Sequence, residues 1–135
     1  MATESLELKS PHDGSTLTFT ITSREPPEAD FDVAVRTPYF SGFSRASTYV
    51  VGAPAALFRS MATEWRGWKG AKEWQDLEHR CALAASSDLT GHVKISVILR
   101  DPTYESELKC IVQFEAGQLE SIAKSVHTLF RGDAP

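Results

Sequence analysis

The sequence has 135 residues, of which 41% are hydrophobic and 24% charged, and its formal net charge is −4. A chain of this length can bury one hydrophobic core, so we expect a single domain over residues 1–135. The acidic balance argues against general binding to nucleic acid or anionic membranes, which depends on clustered Lys and Arg. No stretch approaches the roughly 20 apolar residues of a membrane helix. The N-terminus MATESLELKS lacks the basic and apolar regions of a secretory signal, which favours a cytoplasmic protein.

The first third of the chain is typical of antiparallel strands. Ser5–Lys9 and Ser15–Ile21 predict a hairpin, the second segment alternating apolar residues with threonines. The segment REPPEAD, residues 24–30, carries two prolines and three carboxylates, and it is predicted to be an exposed acidic loop because proline lacks a backbone donor. Residues 31–36 and the run YFSGFSRASTYVV, residues 39–51, predict two more strands, the second with a bend at its glycine.

A helix is predicted to begin at Gly52-Ala53-Pro54, because proline suits the first helical turn. Apolar residues then recur every three or four positions and form one stripe that faces a sheet: Leu57, Phe58, Met61, Trp65 and Trp68. This spacing predicts that Trp65 is a buried core residue and that Gly67 helps to end the helix. Trp68 has two interpretations, since it could fold back onto the core or project from the loop.

Three more strands and a second helix complete the pattern. Apolar residues alternate on both sides of the turn Leu89-Thr90-Gly91, which pairs Cys81 with Leu99. The next turn is predicted to place Ile95 opposite Cys110. The two cysteines are then roughly 9–10 Å apart across the sheet, at ~4.8 Å per strand, and a disulfide needs Cα atoms within about 7 Å. We therefore expect two free, buried thiols, which fits a reducing compartment.

An amphipathic helix is predicted from about Gly117 to Arg131. The predicted order is ββββαβββα, in which runs of strands are interrupted by only two helices. This order favours an α+β fold, with an antiparallel sheet of about seven strands and two helices packed on one of its faces.

We find no convincing motif for catalysis, a metal or a cofactor. The four histidines lack metal-ligand spacing, and phosphate-loop and serine-nucleophile motifs are absent from the sequence. His92 and Asp88 could form a general base and its orienting group, but their position across a hairpin turn favours a structural contact. Cations interleaved with tryptophans over residues 66–74 resemble a small nucleic-acid patch, which nearby carboxylates dilute. We therefore expect a protein without enzymatic activity, cofactor or metal.

A protein-binding surface is the main functional hypothesis from the residues themselves. The acidic segment 24–32 is followed by the aromatic stretch PYFSGFS, residues 38–44. If these segments meet in space, an acidic rim beside an aromatic edge would suit a basic protein partner. Phe40 and Phe43 differ in alternation parity, which leaves open that one of them faces the core. The predicted partner-binding residues are Glu25, Glu28, Asp30, Asp32, Tyr39, Phe40, Phe43 and Trp68.

The order of elements also resembles a group of small bacterial α+β domains that includes the WapI-type immunity proteins. The likeness covers nearly the whole chain and is carried by FDVAV, a Leu/Met/Trp helix, GHVKISVIL and CIVQFEAGQLESIAKSV. It implies a cytoplasmic protein that binds and neutralises the toxic domain of a contact-delivered or secreted toxin, and it implies no catalytic residues. The REPPEAD segment and the Trp-rich residues 65–74 depart from the group's pattern.

Two further hypotheses follow from the pattern of elements. A small-molecule pocket could lie between the first helix and the sheet, lined by Tyr49, Trp65 and Trp68. The edge strand Ser5–Lys9 could also pair with a second copy of the chain and form a homodimer.

Overall fold

Eight strands and two α-helices form the fold in the computed structural model, which describes residues 4–131. The strands are β1 (Ser5–Lys9), β2 (Thr16–Glu25), β3 (Glu28–Arg36), β4 (Ser41–Ser47), β5 (Lys72–Gln75), β6 (Cys81–Ser87), β7 (His92–Arg100) and β8 (Glu107–Glu115). The helices are α1 (Ala55–Thr63) and α2 (Leu119–Arg131). The predicted α+β class and order of elements are confirmed, and β5 is an additional short strand.

The strands form two sheets of four, whereas the sequence pattern predicted one sheet of about seven. The first sheet has the order β1-β2-β3-β4 and the second has the order β5-β6-β7-β8, with antiparallel neighbours throughout. In sequence, α1 connects the first sheet to the second. Strand β4 of the first sheet also packs against the second sheet. The Ser44 hydroxyl donates to the Arg100 carbonyl at 2.7 Å, and a Cβ added to Gly42 would lie 2.7 Å from Leu108 Cδ2. Gly42 thus permits this close approach, rather than a bend in β4.

One hydrophobic core lies between the sheets and the helices. Apolar residues that alternate along the strands are buried on the inner faces, as the sequence pattern predicted. The Phe19 ring lies 6.2 Å, 6.1 Å and 5.9 Å from the rings of Phe31, Phe58 and Phe130 in edge-to-face geometry. Because Phe58 belongs to α1 and Phe130 to α2, both helices pack on the same face of the first sheet, as expected.

Helix α1 ends earlier than its apolar stripe predicted. Its last residue is Thr63, and the Gly67 N–H then donates to the Glu64 carbonyl at 2.8 Å in a turn. Trp65 therefore lies beyond the helix and does not share the buried helical face of Met61. Trp65 is 53% exposed, so the prediction that it is a core residue is wrong.

The other two tryptophans are anchored by their indole N–H groups. Trp68 folds back onto the core, where it is partly buried and donates to the Ala85 carbonyl at 3.1 Å. Trp74 is buried on β5 and donates to the Gly52 carbonyl at 3.1 Å. Buried indole groups usually find such acceptors. The open choice for Trp68 is thereby resolved in favour of the core.

The predicted register is confirmed in one hairpin and shifted in the next. Cys81 pairs with Leu99 as expected. Across the β7–β8 turn, however, Cys110 pairs with Val97 rather than Ile95, because the turn is longer and the Asp101 N–H donates to the carbonyl of Ser106 at 3.2 Å. A shift of two residues keeps the same faces inward. Both cysteines are free and buried, as predicted.

Candidate functional site

The acidic segment 24–30 forms a tight hairpin tip. Strand β2 continues to Glu25 and β3 begins at Glu28, and these two residues pair across the turn. Pro26 and Pro27 occupy only the two turn positions, where their missing N–H groups interrupt no ladder. The prediction of an exposed loop over the whole segment is therefore wrong, because only the two prolines leave the strands.

Arg24 directs its charge away from this tip. Its guanidinium lies 2.8 Å from the Glu4 carboxylate and also donates to the carbonyls of Leu129 and Phe130. The last carbonyls of a helix lack partners within the helix, so a cation at the end of α2 satisfies them. This contact fastens the hairpin to α2, and the single basic residue of the segment does not neutralise its three carboxylates.

The hairpin tip forms one wall of an acidic cleft with a volume of about 350 Å³. The other walls come from the end of β4 and the turn after β5. Its lining residues are Ser23, Glu25, Glu28, Ala29, Asp30, Ser47, Tyr49, Asp76, Leu77 and Glu78. Half of these residues are carboxylates and none is basic. A concave surface lined by one sign of charge concentrates ions of the opposite sign, so the cleft favours cations.

Asp76 lies deepest among these carboxylates, with only 3% of its surface exposed. Its Oδ1 accepts hydrogen bonds from the backbone N–H groups of Arg80 and Cys81, at 2.8 Å and 2.9 Å. These bonds close the turn between β5 and β6. No hydrogen bond from another residue in the described range 4–131 reaches Oδ2. Oδ1 is thus held by the turn, whereas Oδ2 remains accessible to solvent.

The cleft carboxylates are poorly neutralised by the chain itself. The Glu78 carboxylate lies 3.4 Å from Arg80 Nη2. The other four, Glu25, Glu28, Asp30 and Asp76, form no ion pair with the described part of the chain. The lining of the cleft therefore carries an excess of negative charge.

Exposed apolar residues border the cleft, both after β4 and in the turn after β5. Tyr49, Val50, Val51 and Leu77 all present large side chains to solvent. Val50 has φ 66°, a left-handed conformation that a β-branched residue adopts only when its surroundings impose it. The Thr48 hydroxyl, which accepts from the Ala29 N–H at 2.9 Å, ties this turn to β3. An apolar rim beside a charged centre is common at protein interfaces.

The predicted aromatic edge lies elsewhere. Tyr39, Phe40 and Phe43 are all exposed, which answers the open question about the two phenylalanines. They follow the far end of β3, however, and its nine residues separate them from the acidic tip by roughly 27 Å at ~3.4 Å per residue. Asp32 lies between the two ends and pairs with Arg45 at 3.2 Å. The structure therefore does not bring the predicted acidic and aromatic residues together.

A second cavity of about 350 Å³ lies at that aromatic end, on the outer face of the first sheet. Its walls combine one carboxylate, one guanidinium, one aromatic ring and several hydroxyls, in Glu7, Arg36, Phe43 and their neighbours. It lacks the single sign of charge that distinguishes the acidic cleft.

The predicted pocket between the first helix and the sheet is not formed by its three residues. Tyr49 lines the acidic cleft instead, and Trp65 is half exposed beneath the Arg66 guanidinium, 5.1 Å from the ring centroid. In the described chain, the inner side of α1 is filled by the buried side chains of Phe58 and Met61. Those residues leave no shared space for Tyr49, Trp65 and Trp68.

Lys72, one of the basic residues near the tryptophans, is engaged in contacts within the chain. Lys72 donates to the hydroxyl of Ser60 at 2.7 Å and to the carboxylate of Glu64, and it lies 5.4 Å from the centroid of the Trp68 ring. These contacts account for Lys72 as a structural residue that joins β5 to α1. They favour the structural interpretation of residues 66–74 over a nucleic-acid patch.

His92 and Asp88 form the predicted cross-turn contact. Hydrogen bonds from the His92 backbone N–H and from Thr90 hold the pKa of Asp88 well below its ordinary range. The imidazole Nδ1 lies 3.2 Å from Asp88 Oδ2 and 2.8 Å from the Thr90 hydroxyl. A catalytic triad places the carboxylate and the nucleophile on opposite ring nitrogens, whereas both partners here share Nδ1. The geometry favours a structural role in the turn.

The cleft residues missed from the sequence are Asp76, Leu77 and Glu78. They belong to the segment EWQDLEHR, whose carboxylates look like solvated turn residues when the segment is considered alone. Nothing local in that segment indicates that the hairpin tip at Glu25 and Glu28 lies beside it.

The chain matches the model of a protein family over most of its length. The model of a family of unknown function, DUF6228, matches residues 7–133, nearly the whole chain. The chain belongs to the DUF6228 family. Comparison with curated proteins finds no match. In the described range of this DUF6228 chain, no three His, Cys, Asp or Glu side chains are placed to hold a metal ion, and no helix has the length and apolarity needed to cross a bilayer.

Proposed function

We propose that this chain is a non-enzymatic protein-binding domain, and that its acidic cleft receives a basic segment of the partner. The observation that carries the proposal is the convergence of five carboxylates in one cleft without a basic lining residue. Turns that are separated by about fifty positions in sequence, at Glu28 and Asp76, contribute to it. Opposite charge on a partner would relieve their repulsion and speed association.

The rim of the cleft supports a macromolecular partner. Tyr49, Val50 and Leu77 are exposed next to the charges, and large apolar side chains supply most of the binding free energy at protein interfaces. A small inorganic cation would leave these side chains in water. A protein segment would cover them while it delivers its basic groups to the cleft.

The finer form of the proposal is an immunity protein of the bacterial cytoplasm that neutralises a toxin domain. It is supported by the resemblance in the order of elements to WapI-type immunity proteins, by the acidic cleft and by two free thiols at Cys81 and Cys110, which suit a reducing compartment. Membership of a family of unknown function is neutral on this point.

Retention of a partner from lysate of the source cell tests the proposal. The tagged chain should retain, after a salt wash, one protein with a toxin-like domain in near-stoichiometric amount, and co-expression should restore growth of cells that produce that domain. Retention of no protein, or no protection of growth by the chain, would overturn the immunity proposal.

Charge reversal then tests whether the cleft is the binding surface. Changing Glu25, Glu28 and Asp30 to lysine should slow association on the order of tenfold at low ionic strength, because electrostatic steering is lost. The difference should shrink as salt is added.

A matched variant controls for net charge. It carries lysine at Glu7, Glu73 and Glu120, which are exposed and lie outside the acidic cleft. Equal slowing by both variants would mean that overall charge, rather than the cleft, governs association.

Edge pairing between copies of the chain is a separate proposal. Strand β1 lies at an edge of the first sheet, with β2 as its hydrogen-bonded neighbour, and an open edge can pair with another copy. Sedimentation of the protein over a range of concentrations tests for such a dimer, and a monomer throughout would remove it.

A further inference from the structure

We infer that strand β8 is a self-pairing edge, along which two copies of the chain join antiparallel so that their second sheets become continuous. Strand β8 lies at the edge of the second sheet, with β7 as its hydrogen-bonded neighbour. It has nine residues, whereas β1 at the edge of the first sheet has five. None of the residues of β8 lines the acidic cleft, so this pairing is independent of the proposed function.

The outer side of β8 presents backbone groups at every second residue. Just beyond one end of the β7–β8 ladder, the Ala116 N–H donates to the Gly91 carbonyl at 2.8 Å. Beyond the other end, the Asp101 N–H donates to the Ser106 carbonyl at 3.2 Å. Because hydrogen-bonded pairs alternate along an antiparallel ladder, the even-numbered residues of β8 bond to β7. The odd-numbered residues direct their N–H and C=O groups away from β7, and they are Glu107, Lys109, Ile111, Gln113 and Glu115.

Most of these outward groups have no partner within residues 4–131. The exception is the Glu115 N–H, which donates to the side-chain oxygen of Gln118 at 2.9 Å. Within the same range, the outward groups of Lys109, Ile111 and Gln113 form no hydrogen bond with another element. Ile111, at the centre of the strand, is 53% exposed on the outer face of the sheet. An open edge of this length is a template for one more strand.

The charges of β8 are complementary to those of a second β8 in one register. When Val112 of one copy lies opposite Val112 of the other, Lys109 faces Glu115 at both ends of the pairing. Ile111 then faces Gln113, whose aliphatic stem covers part of the exposed isoleucine. Opposite charges directly across a ladder are stabilising. The Glu115 N–H keeps its bond to Gln118, while its carbonyl accepts from Lys109 of the other copy.

The other symmetric registers lack this complementarity. Outward residues must face outward residues, so the two strands slide past each other only in steps of two residues. Alignment at Ile111 sets Glu107 opposite Glu115, and alignment at Lys109 sets two ammonium groups against each other. Like charges directly opposite each other are destabilising. Alignment at Cys110 brings no two charged residues together, so only the register centred on Val112 gains paired charges.

Proline substitution tests which edge is used. Ile111→Pro removes an N–H that points away from β7, so it interrupts no bond of the β7–β8 ladder. Glu7→Pro is the matched control on β1. The Ile21 N–H donates to the Glu4 carbonyl at 2.9 Å, which places the even-numbered residues of β1 in the ladder with β2 and directs the Glu7 N–H outward.

Sedimentation velocity measures self-association of these proteins from roughly 1 µM to roughly 1 mM, the range expected for a small interface. The wild-type chain and Glu7→Pro should both pass from monomer to dimer as the concentration rises. Ile111→Pro should remain a monomer throughout. A wild-type chain that stays monomeric, or an Ile111→Pro variant that dimerises as well as wild type, would overturn the inference. Loss of the dimer in Glu7→Pro alone would assign the pairing to β1 instead.

A charge exchange tests the register and does not depend on proline being tolerated. Lys109→Glu sets two carboxylates opposite each other at each end of the pairing, and Glu115→Lys sets two ammonium groups opposite each other. Each variant alone should self-associate on the order of tenfold more weakly than wild type. An equimolar mixture of the two should dimerise again, because every cross-strand pair between unlike variants has opposite charges. A mixture that associates no better than its components would overturn the inference.

Glu115 also caps the short helical turn that follows β8, where its side chain accepts from the backbone N–H of Gln118. Thermal denaturation of Glu115→Lys therefore accompanies the mixing experiment. A lower melting temperature explains neither outcome of the mixture, since the loss of a cap is not restored by a second chain.

Hydrogen exchange locates the interface at single amides. Exchange of the Lys109, Ile111 and Gln113 amides should slow as the protein concentration rises, whereas exchange of the Glu7 amide should stay the same. Protection of the β8 amides only after a different protein is added, with the chain itself monomeric, would assign the edge to a foreign strand and overturn self-pairing. A partner that occupies the acidic cleft should bind Ile111→Pro as well as it binds wild type, so failure of the dimer leaves the proposed function standing.

Discussion

Replacing Asp76 with alanine should destabilise the fold by about 2–4 kcal/mol. The carboxylate accepts two backbone hydrogen bonds, and bonds to a charged group are worth about 1.5–3 kcal/mol each. The Cys81 residue is fully buried, so its N–H would lose its acceptor without regaining water. Arg80 is partly exposed, and its N–H can be rehydrated, which keeps the total below the sum of the two bonds.

Asp76→Asn should cost about 1 kcal/mol or less, because the amide oxygen can accept both bonds. Urea denaturation measures both variants, with the m-value as a check that the transition remains two-state. Glu78→Ala, at an exposed neighbouring position, should change stability by no more than about 0.5 kcal/mol. Equal losses for Asp76→Ala and Asp76→Asn, or no loss for alanine, would refute the role assigned to Oδ1.

Three other predictions test the surrounding structure. The hydrogen bonds of its turn hold the pKa of Asp88 below 3.8, so its ionised form stabilises the fold above that pH and the contribution is lost as pH falls through the lowered pKa. Asp88→Asn should therefore lose less stability than wild type between about pH 5 and about pH 2 in pH-dependent urea denaturation. Burial raises the pKa of the Cys81 and Cys110 thiols, and a thiol reagent should modify them only after unfolding; rapid labelling of the native protein would contradict their burial. Gly42→Ala should cost about 1 kcal/mol through contact with Leu108 Cδ2, and a double-mutant cycle with Leu108→Ala should abolish this cost.

The strands could be predicted from the sequence because alternation reports directly which side of a strand is buried. Leu83, Ile95 and Val112 all lie on inner faces as their parity required. Even the wrong register between β7 and β8 left the core set unchanged, since the error was two residues and the side-chain period is two. The sequence did not reveal that β4 and β5 belong to separate sheets. The alternation of apolar residues shows which side of a strand is buried, but not which strands are hydrogen-bonded neighbours.

Trp65 shows the limit of helical periodicity. Its spacing from Met61 is correct for one helical face, but spacing applies only while the helix continues. The helix ends at Thr63, and the turn that follows carries Trp65 outward while Trp68 returns to the core. The pattern identified the buried stripe correctly up to Met61 and extended it too far.

Only some of the residues of the candidate site could be predicted from the sequence. Glu25, Glu28 and Asp30 were selected because acidic residues and prolines were adjacent in sequence, and adjacency is visible in one chain. Asp76 and Glu78 join them only through the packing of a second turn against the hairpin tip. Each turn by itself has a sufficient local explanation: two prolines at one, and an aspartate that caps backbone donors at the other. Their convergence has no such local explanation, since it brings five carboxylates into one cleft in which only Glu78 has an ion-pair partner, Arg80. This excess of negative charge is the observation on which the proposal of a basic partner rests.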